Sequence, residues 1–97
     1  MKITDYITVT QLCTSHEIDT SFVSSLHDMG LIQLARIEDH QCIHKEAVHE
    51  VERMIRLHRD LDVNPEGIDV IFNLLEKVET LHEELNSLRN RLKLYES

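Results

Sequence analysis

Hydrophobic residues in the first third of the chain recur at helical spacing in two short segments separated by a polar link. Residues 8–16 predict a first helix, and a second is predicted to end at Gly30, because glycine is favoured just after a helix. The candidate N-caps are Thr8 or Thr10 for the first helix and Asp19 or Thr20 for the second. The predicted inner face of the second helix comprises Phe22, Val23, Leu26 and Met29. Two short helices joined in this way are typical of a helix-turn-helix.

The period changes after Gly30, where apolar and polar residues begin to alternate. Ile32, Leu34 and Ala35–Ile37 predict a strand, since alternation is the pattern of a half-buried strand. The stretch Glu38-Asp39-His40 is polar enough for a turn, and residues 41–44 predict a returning strand. Together they predict a small β-hairpin, or wing.

Residues 45–63 return to a helical period and predict a third helix. Its apolar stripe comprises Ala47, Val48, Val51, Met54, Ile55 and Leu61. The stretch Asn64-Pro65-Glu66-Gly67 then ends one helix and starts another: Asn64 is a suitable N-cap and Pro65 fits the first helical position. We therefore divide the chain into a winged helix-turn-helix domain with its third helix, residues 1–63, and a C-terminal helix, residues 64–97.

The C-terminal helix carries an unbroken heptad pattern. Apolar residues follow one another at alternating intervals of three and four: Ile71, Leu74, Val78, Leu81, Leu85, Leu88, Leu92 and Tyr95. They span 25 residues, or roughly 37 Å at ~1.5 Å per residue, and so narrow a seam needs a second helix of the same kind. The pattern predicts a coiled-coil homodimer; the alternative is a helix that packs along its own domain.

Flanking charges bear on the direction of that coiled coil. Two pairs would attract each other in a parallel dimer: Glu84 with Arg89, and Arg91 with Glu96. A third pair, Lys77 with His82, would not, and an antiparallel pairing remains open.

Composition narrows the possible partners. The 97 residues suit one domain, and only two glycines and one proline favour helices over an all-β fold. A formal charge of −8 disfavours phosphate backbones and anionic lipid and suits a basic protein surface.

No apolar run approaches the ~20 residues of a membrane span. With no apolar signal-peptide region and only two cysteines, the sequence predicts a cytoplasmic protein.

Chemistry-bearing motifs are weak, and we predict neither an enzyme nor a cofactor. No nucleophile–histidine signature or glycine-rich phosphate loop is present. His40, Cys42 and His44 alternate along one predicted strand and could supply soft ligands for zinc or copper. Three ligands on one strand rarely converge on a metal, so a buried cysteine between exposed histidines is the favoured interpretation. His49, Arg53 and Arg56 form the only basic stripe, either a solvated helix face or the place for residual nucleic-acid binding.

The order of predicted elements resembles the MerR-type winged-helix family. The stretch "HDMGLIQL" is similar to the end of that family's second helix, and "QLCTSHEIDTSFVSSLHDMGLIQL" and "IRLHRDLDVNPEGIDVIFNLLEKVETLHEELNSLRNRL" resemble the CbpM chaperone-modulator family within it. The more specific signature is L-x-V-N-x-x-G-I-x-V before a leucine-rich helix. This resemblance implies a bacterial cytoplasmic protein that binds the J-domain co-chaperone CbpA and restrains it.

The composition of the second predicted helix distinguishes between DNA binding and protein binding as functions. A helix that reads DNA needs Arg, Lys, Asn or Gln on its outer face, and "DTSFVSSLHDMG" contains none of these four residues. Against the MerR pattern, the two usual arginine positions are Ser21 and Ser24, and the usual aromatic pair is Ser25 and Leu26. Residues 1–44 carry two basic against six acidic residues, a net charge of −4. Sequence-specific DNA binding is therefore disfavoured.

An acidic, serine-rich helix and wing suit a basic partner, and the resemblance implies that this partner is a J-domain with its Lys/Arg-rich helix. The predicted contacts are Asp19, Ser21, Ser24, His27 and Asp28 on the helix, and Glu38 and Asp39 at the wing tip. Three alternatives remain: solvated surface charges, a MerR-like transcription regulator with weak or indirect DNA binding, and an adaptor for an unrelated basic partner.

The heptad pattern makes the first testable prediction. The double change Leu81→Glu with Leu88→Glu places four carboxylates in the seam of a dimer, where burying unpaired charge is strongly unfavourable. We expect monomers in sedimentation experiments at concentrations at which the wild type is dimeric. A double variant that stays dimeric would place the dimer interface outside this seam.

Overall fold

A computed structural model describes residues 3–96 and has the mainly helical winged helix-turn-helix architecture predicted from the sequence. After a short 3-10 turn at Ile3–Asp5, the elements are strand β1 and helix α1, helix α2, a hairpin of β2 and β3, and helices α3 and α4. Their bounds are β1 Tyr6–Thr8, α1 Val9–Ser15, α2 Thr20–Asp28, β2 Ala35–Ile37, β3 His40–His44, α3 Lys45–Leu61 and α4 Pro65–Glu96.

Side-chain caps start the helices where the sequence placed them. The Thr8 hydroxyl accepts a hydrogen bond from the Gln11 N–H at 3.1 Å, and the Asp19 carboxylate accepts one from the Ser21 N–H at 2.9 Å. Asn64 caps α4 by accepting from the Gly67 N–H at 2.8 Å. These bonds satisfy donors that have no partner inside the helix. The cap of α3 was not predicted: there the His44 ring nitrogen Nδ1 accepts from the Glu46 N–H at 3.1 Å.

The sheet has three antiparallel strands in the order β1-β3-β2, one more than the predicted hairpin. Strand β2 starts at Ala35, so the prediction that Ile32 and Leu34 lie in a strand was wrong: both precede it, and Ile32 is buried in the core. His40 pairs with Ile37 and belongs to β3 instead of the turn. Glu38 and Asp39 alone form the turn, with φ angles of +49° and +65°. Two positive φ values suit the right-handed twist of a two-residue hairpin.

One small aliphatic core joins α1, α2, α3 and β3 to the first turns of α4. Its fully buried side chains include Val23, Leu26, Ile43, Val51, Ile55 and Ile68. Two residues predicted to face this core are exposed instead. Met29 is the C-cap residue of α2, and Leu61 is 68% exposed at the end of α3, where Asp62 adopts a left-handed conformation (φ +55°) and turns the chain away.

Histidine contacts fix the position of α3 against the first two helices. His58 stacks on the Phe22 ring with centroids 4.2 Å apart, and its Nδ1–H donates to the Val63 carbonyl at 2.9 Å. His16 Nε2 contacts the Glu52 carboxylate at 3.0 Å. The contacts therefore hold α2 and the α3–α4 junction in one arrangement.

Helix α4 starts inside the core and then leaves it. Ile68 is completely buried, and Phe72 packs against the core with the Arg53 guanidinium 5.4 Å from its ring centroid. Gly67 is needed for close approach, because a Cβ there would lie 2.8 Å from Val63 Cγ1. From Asn73 to Glu96 every residue of the helix is exposed, and the molecule extends 60 Å along its longest axis. Within residues 3–96, no helix is both long enough and apolar enough to cross a membrane.

The second prediction concerns this anchoring of α4. Ile68→Ala removes a fully buried side chain from the core and should lower the free energy of unfolding by about 2–5 kcal/mol. Val70→Ala on the same helical turn is the matched control, because Val70 is 57% exposed, and it should change stability by no more than ~0.5 kcal/mol. Urea denaturation followed by circular dichroism measures both. Equal effects would show that α4 is not anchored through Ile68.

Candidate partner-binding surfaces

The outward side of α2 is polar and lacks positive side chains. Phe22, Val23 and Leu26 hold the inner side in the core. Ser21, His27 and Asp28 are exposed on the outer side, and Ser24 is half-buried. No Lys or Arg lies within Thr20–Asp28. The helix therefore presents hydroxyl groups, an imidazole and a carboxylate to solvent.

Asp19 has a structural task besides its predicted contact role. Its carboxylate accepts hydrogen bonds from the backbone N–H of Ser21 and from the Ser21 hydroxyl. These two bonds hold the pKa of the Asp19 carboxyl below its usual range. The group stays ionised at neutral pH, and its charge lies at the N-terminus of α2, where the helix dipole favours an anion. A change at Asp19 would therefore alter both the surface charge and the start of α2.

The hairpin lies beside the N-terminal part of α2 and forms a shallow polar depression with it. This depression has a volume of about 350 Å³ and is lined by Val9, Thr10, Thr20, Ser24, Arg36, Asp39, His40 and Gln41. Ser24 and Asp39, two of the predicted contacts, therefore line the same depression. The depression also contains Arg36, which sequence reasoning did not select, since a lone arginine between apolar residues carries no motif.

The other predicted contacts lie at α2 and the hairpin but do not line this depression. Asp19, Ser21, His27 and Asp28 are exposed at or near the two ends of α2, and Glu38 is exposed at the hairpin turn. The His27 ring lies 3.8 Å from the carboxylate of Asp28. We refer to the seven predicted residues as the α2–wing face: Asp19, Ser21, Ser24, His27, Asp28, Glu38 and Asp39.

The alternating His40, Cys42 and His44 do not converge. Cys42 is buried, and its thiol donates to the His40 carbonyl at a sulfur–oxygen distance of 3.5 Å, while His40 is exposed. The Nδ1 atom of His44 caps α3. Over residues 3–96 there is no cluster of three or more His, Cys, Asp or Glu that could hold a metal ion. Cys13 lies in the core, and burial, followed by the charge of Asp19, raises the pKa of its thiol.

The heptad residues of α4 form a long apolar surface. Ile71 is half-buried beside α3, and the other seven are between 43% and 88% exposed in the single chain: Leu74, Val78, Leu81, Leu85, Leu88, Leu92 and Tyr95. We call these eight residues the α4 seam. Exposed Val70 and Leu75 flank its first turns. Contiguous apolar surface on this scale marks an interaction site in a water-soluble protein.

The basic stripe on α3 is exposed, but one of its three residues makes a contact within the protein. His49, Arg53 and Arg56 all face solvent. Arg53 lies over the Phe72 ring and helps to hold α4 against α3. A structural contact thus accounts for one of the three residues.

Comparison with known proteins identifies a family and two relatives for this chain. The sequence model for the family described as "MerR HTH family regulatory protein" matches residues 7–90. Two curated relatives are both chaperone modulatory proteins CbpM, from Pseudomonas entomophila strain L48 and Pseudomonas putida strain F1. Each is 26% identical over 82 residues, which cover 84% of this chain and 81% of the relative. The matches confirm the resemblance found in the sequence.

Proposed function

This chain belongs to the MerR HTH family of regulatory proteins, and from that premise we propose that it is a chaperone modulator that binds the J-domain of a CbpA-type co-chaperone and inhibits it. The family is regulatory, and the two curated relatives are named for chaperone modulation. Their names do not specify a J-domain, which is our proposal for the partner.

The observation that carries this proposal is the chemistry of α2. In a helix-turn-helix that reads DNA, the second helix brings basic and amide side chains to the grooves and phosphates. Here the same element offers Ser21, Ser24 and Asp28, with no Lys or Arg over its length. A phosphate backbone finds little to bind on this helix, whereas a basic protein helix finds acceptors. This contrast favours a modulator over a transcription regulator.

Acidic groups at the hairpin extend the same chemistry. The two-residue turn fixes Glu38 and Asp39 at the wing tip, and Asp39 lines a depression together with Ser24 of α2. A J-domain helix with a Lys/Arg face, bound here, would have that face covered and its charge neutralised. The co-chaperone would then be unable to present those residues to a DnaK-type chaperone, so inhibition follows from occupation alone.

The proposed active form is a homodimer joined through the α4 seam. Seven of the eight seam residues, from Leu74 to Tyr95, stay exposed within residues 3–96, whereas Ile71 is half-buried beside α3. A second copy supplies the same heptad spacing, with Leu at most seam positions. Because the α2–wing face does not overlap the seam, each dimer offers two docking faces.

The third prediction tests the docking face by charge reversal. Asp28→Lys with Asp39→Lys replaces two exposed carboxylates by ammonium groups, and we expect affinity for the J-domain co-chaperone of the same organism to fall by about tenfold. Isothermal titration at two salt concentrations measures the loss. Raising salt should slow association of the wild type more than it speeds dissociation, because steering acts mainly on the on-rate.

A control variant with the same change of net charge separates the face from the whole-molecule field. Glu79→Lys with Glu83→Lys alters two exposed residues of α4 outside the seam, and its affinity should stay close to wild type. Equal losses in the two double variants, or no loss and no salt dependence in either, would mean that the partner binds elsewhere.

A further inference from the structure

Arg36 is a single positive charge inside the proposed acidic docking face. It is the only Lys or Arg between residues 3 and 44, and it lines the depression between α2 and the hairpin. Its side chain is exposed at the middle position of β2, opposite Gln41 of β3. The pairing of the two strands therefore fixes the position from which the arginine side chain starts.

The guanidinium has no protein partner within the part of the chain that the structure describes. Although Asp39 lines the same depression, no ion pair or side-chain hydrogen bond of Arg36 occurs among residues 3–96. Three hydroxyl groups, those of Thr10, Thr20 and Ser24, share the depression. An arginine carries five N–H donors in a planar fork that matches a carboxylate. The depression thus combines solvent-exposed N–H donors, which no group of residues 3–96 accepts from, with hydroxyl groups that can complete the hydrogen bonding of an acid.

A purely basic partner would meet a penalty at this position. Like charges placed opposite each other weaken an interface and disfavour that partner. A partner that carries one carboxylate beside its basic helix gains a charge-assisted, two-point hydrogen bond at the same place. Arg36 can therefore distinguish between two basic surfaces that the carboxylates of the α2–wing face would attract equally.

We propose that Arg36 is a specificity-determining residue of the docking face and binds an Asp or Glu side chain of the partner, which the polar depression between α2 and the hairpin receives. This inference rests on the proposed function, since it concerns the same partner. It defines that partner's surface more narrowly: a basic helix with a carboxylate next to it, and not a uniformly basic patch.

The test uses the sign of the effect. Arg36→Gln makes the face more negative, so attraction of a basic partner by charge alone predicts tighter binding. Our proposal predicts the opposite, a loss of about tenfold in affinity for the full-length J-domain co-chaperone of the same organism. Arg36→Lys keeps the charge but lacks the planar fork, so its affinity should fall between those of Arg36→Gln and wild type.

Arg56→Gln on α3 is the matched control. Arg56 is also exposed and makes no ion pair within residues 3–96, so the variant has the same net charge as Arg36→Gln. Its affinity should change by less than about twofold. Thermal unfolding by circular dichroism verifies that all three variants are folded. Unchanged or tighter binding of Arg36→Gln, or an equal loss in Arg56→Gln, would overturn the proposal.

A charge swap identifies the partner group. Arg36→Glu should bind poorly, and changing the paired Asp or Glu of the co-chaperone to Arg should restore affinity for Arg36→Glu alone. Failure of every such exchange would also overturn the inference. The charge-reversal test of Asp28 and Asp39 is independent of these results: a loss of binding there, with tighter binding of Arg36→Gln, would retain the proposed function and reject the role of Arg36.

Discussion

Burial of a small aliphatic core shared by α1, α2, α3, β3 and the first turns of α4 is the constraint on which the rest of the structure depends. A domain of this size buries limited apolar surface, so each buried side chain carries a large share of its stability. Phe22, Val23 and Leu26 use the inner side of α2 for this purpose, which leaves the opposite side for partners. Ile68 buries the start of α4 in the same core and thereby sets the direction in which the long helix extends from that core.

Two surfaces follow from that arrangement, and they differ in chemistry. The α2–wing face is polar and acidic and suits recognition by charge and hydrogen bonding. The α4 seam is apolar and suits association with another helix of the same period. Since the two surfaces lie on different elements, the proposed dimer and the proposed partner would not compete for the same residues. A helix that reads DNA from this position would need positive charge where this chain has serines and carboxylates.

Much of the fold could be predicted, because it depends on interactions between residues that are close in the sequence. The caps at Thr8, Asp19 and Asn64, and the left-handed Gly30 just after the end of α2, depend only on residues a few positions apart. Features that depend on distant residues could not be predicted. Strand β1 forms only because Tyr6–Thr8 finds β3 beside it, some 36 residues later in the chain. Met29 and Leu61 have the right spacing for the core but lie where a helix ends, so periodicity alone misplaced them inside.

The site shows the same limit. Composition and pattern selected the acidic and serine residues on α2 and at the wing tip as a set, and their role in binding stays a prediction. Arg36 was not selected from the sequence, because its interest arises from the depression that the hairpin and α2 form together.

Whether the face acts as proposed is tested most directly by competition. With labelled J-domain co-chaperone bound to its DnaK-type chaperone, rising concentrations of this protein should displace the chaperone completely, and the apparent Kd of the chaperone should increase in proportion to the added protein. A ternary complex with unchanged chaperone affinity would contradict the account.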